Sequence, residues 1–418
     1  MGVRQQGSIA VIGSGIIGAA VALALAREGR RVWLLDRAAP GMDGASYGNV
    51  GHIAAELVQP LPSPALLLGF WRLLMRFGGP LDLPPRQVLR MLPWIARFAA
   101  AAFRRDGNTR HLAPLVMPAS ATWERWLQEI GRRELLVRNG HYEIGLGATS
   151  ADAMRKQAAA MAGLGIRTAP VPAEQLRALQ QAAGAKAISG IWFEDSAHVT
   201  DPLAAVQAFA QAAIERGAVV ERNEVRALVP RGAQLEIQCA TGPRLVEAAI
   251  VCAGMGSRAL LAPLGVHAPL QSVRGYHVEL PGQPPYLDAP LVHTDVHMLV
   301  TPMAGRLRAS SYMEFAAEGA PADAAKPANL RRRLRALGYH CDEQCPSWVG
   351  ARPILPDYLP GIGRAPGPQQ VYYAIGHQHI GLTMAPVTAE LIADLVASRP
   401  TRLPVQGFDL RRFGRPPA

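Results

Sequence analysis

Apolar residues occupy this chain in short blocks separated by glycine and proline, as expected of alternating strands and helices. The first block, Ile9-Ala10-Val11-Ile12, follows Ser8 and has the length of a buried strand. Gly13-Ser14-Gly15-Ile16-Ile17-Gly18 comes next. A proline-free run of strong helix formers, Ala19 to Glu28, then leads to Gly29, a residue suited to a helix C-terminus. Arg31-Val32-Trp33-Leu34-Leu35 is a second strand-like block, closed by Asp36. The order is strand, glycine turn, helix, strand, acid.

The remaining blocks extend this reading. Leu66 to Phe77 predicts one helix, and Val88 to Phe103 a second, interrupted at Pro93. Leu115–Ile130 predicts a third helix, Gly140–Leu146 alternates as a strand, and Ala151–Leu164 and Glu174–Ala183 are helical. Gly190–Phe193 is strand-like. At Thr200-Asp201-Pro202 a capping aspartate and a proline at the first helical position open a helix through Arg216, followed by a strand to Arg222. Leu235–Cys239 and Arg244–Val251 predict a hairpin running into Cys252-Ala253-Gly254-Met255-Gly256-Ser257. Short alternating segments at Tyr276–Leu280, Leu291–His293, His297–Val300 and Arg306–Tyr312 predict an antiparallel sheet. Lys326–Leu337 is a basic helix, Val371–Ile375 a strand, and Thr383–Ala397 a closing helix after a glycine-bounded loop.

The opening unit has a chemical meaning. Gly13 permits a tight turn, Gly15 lets a pyrophosphate approach the backbone, and Gly18 lets helix and strand pack closely. Phosphates then meet the free N–H groups at the helix N-terminus, Ile16 and Ile17 included. Asp36 stands where a carboxylate accepts hydrogen bonds from ribose hydroxyls, with Arg37 beside it. A second glycine-rich stretch, Gly44 to Ile53, can run closely over a flat ligand.

Composition narrows the classes. At 418 residues the chain exceeds one small core, and 49% apolar content excludes a mostly disordered one. Four cysteines form no disulfide framework, and Cys341 and Cys345 lack the partners of a zinc site, so no metal is expected. Lysine and arginine outnumber acids by 43 to 32, but no nucleic-acid-binding signature accompanies the scattered arginines, so no nucleic-acid partner is expected. No apolar run reaches the ~18–20 residues that span a bilayer. With the nucleotide strand this close to the N-terminus, a cytoplasmic location is expected. The apolar, arginine-bearing segment 61–105 is expected to pack on a neighbouring part of the protein, with peripheral contact with the inner face of a membrane as the alternative.

Taken in order, GSGIIG with Asp36, SYGNVGHI, VCAGMGS, RGYHVEL, GARPILPDYLPGIGR and GHQHIGLTMAP resemble the FAD-dependent D-amino acid oxidase and dehydrogenase superfamily, nearest the D-amino acid dehydrogenases of the small-subunit type. The resemblance covers nearly the whole chain. It implies an α/β fold: an FAD-binding Rossmann-like domain split over 1–60, 200–266 and 347–418, with an inserted antiparallel-sheet α+β substrate domain over 61–199 and 267–346. By the same resemblance Gly13, Gly15 and Gly18 approach the pyrophosphate and Asp36 the adenosine ribose. Ser46, Asn49 and Gly51 lie near phosphates and flavin, Val225 offers backbone to the adenine, and Ala253 and Gly254 pass the cofactor midway. Gly381, Leu382 and Thr383 present N–H groups to the flavin at a helix N-terminus, where negative charge is favoured. Gly350 and Ala351 stand where sarcosine-oxidase relatives have their linking cysteine, so FAD is expected to be non-covalent.

For the substrate, the resemblance implies that Arg352 holds the carboxylate, a role its planar fork suits. Arg274 is the reserve. Strand alternation allows at most one of Tyr276 and His277 to face the cavity. Tyr312, His379 and His52 complete the candidate catalytic set. The implied reaction is hydride transfer from Cα of a D-amino or cyclic imino acid to FAD. D-proline or cis-4-hydroxy-D-proline is the leading substrate, because GHQHIGLT resembles that branch's loop. An oxidase of glycine, sarcosine or a D-amino acid is the second reading, and a flavoprotein component of a larger electron-transfer complex the third. The acceptor is a quinone, a dye or a partner protein.

Overall fold

The structure, a computed structural model, describes residues 8–146, 148–183, 188–232, 234–316 and 319–414. Two large sheets carry it. The first has six strands in the order Val219–Arg222, Val32–Asp36, Ile9–Ile12, Ala248–Val251, Gln370–Ile375, Gly361–Arg364. The first five are mutually parallel and the sixth is antiparallel. Parallel strands are buried on both faces, and Ile9–Ile12 and Ala248–Val251 accordingly carry no polar side chain.

One face of this sheet is covered by helices Ile16–Arg27, Pro202–Glu215 and Gly381–Val396. The first helix is rich in wholly buried alanine (Ala19, Ala20, Ala22), and these small side chains let the strands and the closing helix come close. Trp123, Trp126 and Phe209 fill the wider gaps in the same core. Against the other face lies a three-stranded antiparallel sheet, Val225–Arg231, Gln234–Cys239 and Gly242–Val246, with its own apolar core. The expected hairpin through Val251 is therefore shorter. Its second strand stops at Val246, and Ala248–Val251 passes into the parallel sheet.

The second sheet is mixed and mostly antiparallel. Its order is Ser347–Ile354, Gln271–Pro281, Arg306–Glu314, Met298–Met303, Leu291–His293, His141–Leu146, Ile188–Phe193, Thr168–Pro170, with Leu81–Asp82 joined to Arg306–Glu314. One face of Gln271–Pro281 packs Tyr276, Val278 and Leu280 against Leu330 and Leu334 of helix Ala325–Ala336. In the first turn of that helix Lys326 is buried, its ammonium bonded to Asp82, Glu314 and Asp323 at 2.7, 2.8 and 2.8 Å. Three carboxylates around one buried cation satisfy all three of its donors. The fold is thus the expected α/β class, with a split nucleotide sheet and a largely antiparallel second sheet.

Several local expectations change. Residues 66–77 form a short helix, Pro64–Gly69, followed by 3-10 turns at Phe70–Leu73 and Met75–Phe77, because the segment has no fully buried face to hold a long helix. Helix Pro85–Ala102 continues through Pro93. The carbonyl that loses its partner there belongs to Leu89, which is exposed and can bond water. Leu115–Ile130 is not one helix but the end of Arg105–Val116 and all of Ala119–Glu129, divided at Met117-Pro118. Both helices contribute to the core beneath the nucleotide sheet, although they fall inside 61–199. Ser347–Ile354, within 347–418, belongs to the second sheet.

Candidate functional site

The parallel strands place their C-terminal ends along one edge of the first sheet. Loops after Ile12, Asp36, Arg222, Val251 and Ile375 all leave from that edge. Ligands of open α/β sheets bind there. Gly13, Gly15, Ile16, Ile17, Gly18, Asp36, Arg37, Val225, Ala253, Gly254, Gly381, Leu382 and Thr383 therefore share one rim.

Gly13 has φ +104°, and a Cβ there would lie 2.4 Å from the Cys252 carbonyl oxygen. A Cβ on Gly18 would lie 1.7 Å from the Gly13 carbonyl oxygen. Both positions demand glycine for packing. Gly15 differs: a Cβ there would meet only the Ser46 hydroxyl, at 3.1 Å. That hydroxyl accepts from the Ile16 N–H at 3.0 Å, so an oxygen acceptor already stands at the helix N-terminus. A phosphate oxygen has the same preference, so this cradle suits a pyrophosphate.

Asp36 braces the glycine loop. One carboxylate oxygen accepts from the Ser14 N–H at 2.6 Å and the Ser14 hydroxyl at 3.0 Å. The other receives only a long contact from Ala38 N–H at 3.3 Å, and retains capacity for a ribose hydroxyl. Arg37 is exposed and paired with Asp43, which raises its pKa. Val225 begins its strand just after Asn223, whose N–H bonds the Asp36 carbonyl at 2.6 Å.

The stretch 44–53 crosses towards the second sheet. Asn49 Oδ1 accepts from Gly51 N–H at 2.8 Å, and Arg308 bonds the Asn49 carbonyl. Gly51 has φ +77° and a Cβ there would lie 2.4 Å from the Val199 carbonyl oxygen. Trp348 occupies the space a Cβ would need on Gly48, and stacks on His277 with centroids 5.2 Å apart. The closing helix starts at Gly381 with no side-chain cap, leaving its N–H groups for a ligand. Thr383 Oγ1 accepts from Ala54 N–H at 3.0 Å, fastening the two ends of the chain together. Gln378, at φ +56°, holds the preceding loop by bonds to Leu355, Leu359 and Gly376.

Arg352 lies against Gly275. A Cβ there would fall 2.1 Å from Nη2 and 2.3 Å from Cζ. Its one hydrogen bond among the described residues runs from Nη1 to the Tyr312 carbonyl, at 3.2 Å. No carboxylate within ion-pair distance neutralises it among the described residues, and burial lowers its pKa. A guanidinium with five donors, deeply set and mostly unmatched, is built for an incoming anion. His379 stands nearby. Its ring keeps open surface although protein surrounds it, the condition of a cavity wall, and burial followed by Arg352 lowers its pKa to about 4. It is neutral at physiological pH. Tyr358, at φ +60°, lies within 6.1 Å of the His379 ring, and its buried hydroxyl has no hydrogen-bond partner among the described residues.

Two candidates fall elsewhere. Tyr276 and Tyr312 point to the far face of the second sheet, in the core under helix Ala325–Ala336. The Tyr276 hydroxyl donates to Glu314 at 2.7 Å, and the rings sit edge to face, 6.2 Å apart. Neither side chain shares the Arg352 face. A bulge between Arg274 and Tyr276 and the positive φ of Tyr312, +72°, set this arrangement. The backbone carbonyl of Tyr312, not its phenol, reaches the clamp. Arg274 is also committed, to Glu314 at 2.6 Å and to two carbonyls. His277, the neighbour of Tyr276, faces the 44–53 stretch and meets the Gly48 carbonyl at 3.0 Å.

His52 opens onto a cluster the sequence reading missed. Its Nε2 lies 3.6 Å from Glu56, which also faces His141 at 3.7 Å. Burial lowers the His52 pKa well below its usual value and raises that of Glu56. Only the i, i+4 spacing of His52 and Glu56 hinted at this. Tyr358 was missed as well, although it lies inside the GARPILPDYLPGIGR stretch.

The chain and its fold are similar to known proteins. The profile of the DAO family, described as FAD dependent oxidoreductase, matches residues 8–395. A Bradyrhizobium diazoefficiens protein named D-amino-acid oxidase is 30% identical over 97% of this chain and 98% of its own. A Ralstonia nicotianae protein named D-amino acid dehydrogenase 2 is 29% identical over 97% of this chain and 100% of its own. Among solved structures, glycine oxidase from Geobacillus kaustophilus matches with a TM-score of 0.77 at 21% identity, over 97% of this chain and 99% of its own.

Proposed function

On the premise that this chain belongs to the DAO family of FAD-dependent oxidoreductases, we propose that it is a D-amino acid dehydrogenase whose substrate carboxylate is held by Arg352. FAD, when bound, supplies an acceptor for the hydrogen and electron pair leaving the substrate Cα–H. The loop after Ile12, Ser46 and the uncapped start of helix Gly381–Val396 are the residues to hold it. We take the binding to be non-covalent. Cys239, Cys252 and Cys341 are buried, and Gly350 and Ala351 stand next to Arg352 instead of a cysteine.

The chain's own contribution is orientation. Arg352 gives the carboxylate two parallel hydrogen bonds and fixes which face of Cα is presented. Neutral His379 and the Tyr358 hydroxyl offer one polar wall opposite. That wall suits a ring hydroxyl and so favours cis-4-hydroxy-D-proline, with D-proline, which has the ring but not the hydroxyl, the second candidate. The single observation that carries the reading is a deep-set guanidinium with one backbone hydrogen bond and no carboxylate partner among the described residues.

The test is dye reduction by a panel of D-proline, cis-4-hydroxy-D-proline, D-alanine, glycine and sarcosine, with wild type, Arg352→Lys and Arg352→Met. Arg352→Lys keeps the charge and loses the fork, and should cost roughly ten- to a hundred-fold in kcat/KM. Arg352→Met should cost more, with FAD content unchanged. Wild-type kcat/KM in Arg352→Met would overturn the assignment. Rapid oxygen uptake with the same substrates would make the enzyme an oxidase.

A quinone or partner protein as natural acceptor fits an exposed apolar surface on the segment 61–105. Leu68, Phe70, Trp71, Leu89 and Leu92 are all exposed there, beside Arg72, Arg86 and Arg90. Co-sedimentation with anionic vesicles at physiological salt should be lost in Trp71→Ser/Leu89→Ser. Absence of any sedimentation by the wild type would count against a membrane-borne acceptor.

A further inference from the structure

We propose that His52, Glu56 and His141 form a binding site for one zinc-type divalent cation, beside the substrate cavity. Their ligand atoms lie within 4.8 Å of one another. His52 Nε2 is 3.6 Å and His141 Nδ1 3.7 Å from Glu56 Oε1. These separations are too long for hydrogen bonds. They match an ion between the groups, because ligands about 2.1 Å from a tetrahedral centre stand roughly 3.4 Å apart.

Three further observations favour an ion over a loose polar cluster. His141 is 1% and Glu56 5% exposed, and neither ring nitrogen of His141 nor Nε2 of His52 has a hydrogen-bond partner among the described residues. Buried imidazole nitrogens without partners are costly, and a metal bond removes that cost. The outer groups are also in place. His141 Nε2 faces Glu143 at 3.6 Å, and Glu143 is held by Gln157 at 2.7 Å. On closing to hydrogen-bond distance, a carboxylate at the distal nitrogen would fix the tautomer that leaves Nδ1 free to bind metal. The second Glu56 oxygen is taken by Ser196. Finally, the His141 ring is fixed by stacking on Phe193, with centroids 4.5 Å apart.

The donor set chooses the metal. Two imidazoles and one carboxylate suit zinc and its transition-metal neighbours, and not magnesium or calcium, which prefer all-oxygen sites. Another cluster among the described residues, Asp82, Glu314 and Asp323, already holds the Lys326 ammonium and needs no ion. An ion at His52–Glu56–His141 would tie the 52–56 stretch, which leads off the flavin rim, to strand His141–Leu146 of the second sheet.

The experiment uses the FAD-loaded protein, incubated with zinc sulfate, dialysed against metal-free buffer and measured by elemental mass spectrometry. Wild type should retain about one zinc per chain, while Glu56→Gln and His141→Asn retain little at the same FAD content. Glu143→Gln should bind about ten- to a hundred-fold more weakly. Zinc should raise the wild-type Tm and a chelator reverse the rise, which decides the matter even if the variants fail to fold. Wild type that retains no zinc and shows no shift in Tm would overturn the proposal. So would equal zinc in wild type, Glu56→Gln and His141→Asn.

Discussion

Gly275→Ala offers a sharp test of the carboxylate clamp, because it moves Arg352 without changing it. Gly275 sits in strand Gln271–Pro281 with no positive φ, so the backbone accepts alanine. The new methyl would arrive 2.1 Å from Nη2, 2.3 Å from Cζ and 2.7 Å from Nη1 of Arg352. Non-bonded carbon and nitrogen need about 3.5 Å, so the guanidinium must retreat by more than about 1 Å. The obstructed group is the far end of a flexible side chain, and the fold should survive with little change in Tm. Catalysis should not: a displacement of this size costs up to about a hundred-fold, and ten- to a hundred-fold corresponds to about 1.4–2.7 kcal/mol of transition-state binding. The assay is anaerobic flavin reduction by the best substrate in stopped flow, with FAD content and Tm measured in parallel. Arg352→Lys/Gly275→Ala should fall by less than the product of the single effects, since both act on one contact. Wild-type kcat/KM in Gly275→Ala, with FAD bound and Tm intact, would refute the reasoning.

Three more outcomes follow from the same structure. Gly15→Val should yield colourless apoprotein, since its side chain would fill the cradle beside Ser46; absorbance and FAD release on denaturation check this. Lys326→Met should lower stability by about 3–5 kcal/mol in urea titration, because three carboxylates lose the one buried ammonium they share. His198, His277 and His293 are all lowered by burial from 6.5 to about 4, so the unfolded chain protonates first. Stability therefore rises with pH across about 4 to 6.5 and is lost as pH falls through that window; a Tm flat from pH 6.5 to 4.5 would contradict it.

The nucleotide edge was legible because its signals are local. Gly13, Gly15 and Gly18 with the flanking strands define a turn, a helix start and a parallel pairing within 30 residues. Arg352 could be singled out only through resemblance, and its unmatched donors appear only in three dimensions. The faces of Tyr276 and Tyr312 were not legible, because a bulge and a left-handed residue interrupt the alternation a strand reading assumes. Helix Pro85–Ala102 was misread at Pro93 for a related reason: a lost hydrogen bond matters little where its carbonyl faces water. Glu56 and His141 are far apart in sequence, and nothing in either neighbourhood announces that they meet.

The packing of helix Ile16–Arg27 against helix Gly381–Val396 also governs how the molecule is made. The central strand Ile9–Ile12 pairs with Val32–Asp36, its near neighbour in sequence, but strand Gln370–Ile375 and the closing helix are synthesised far later. Until residue 396 emerges, the part of the first helix that faces the closing helix has no permanent cover. The nascent chain carries an unfinished core through most of its synthesis, and such surfaces recruit chaperones and invite aggregation. Assembly of the first sheet, dominated by contacts distant in sequence, is consequently expected to be late and slow. Loss of the closing helix in a truncated chain would remove the lid from a core already synthesised, leaving a product for proteolysis.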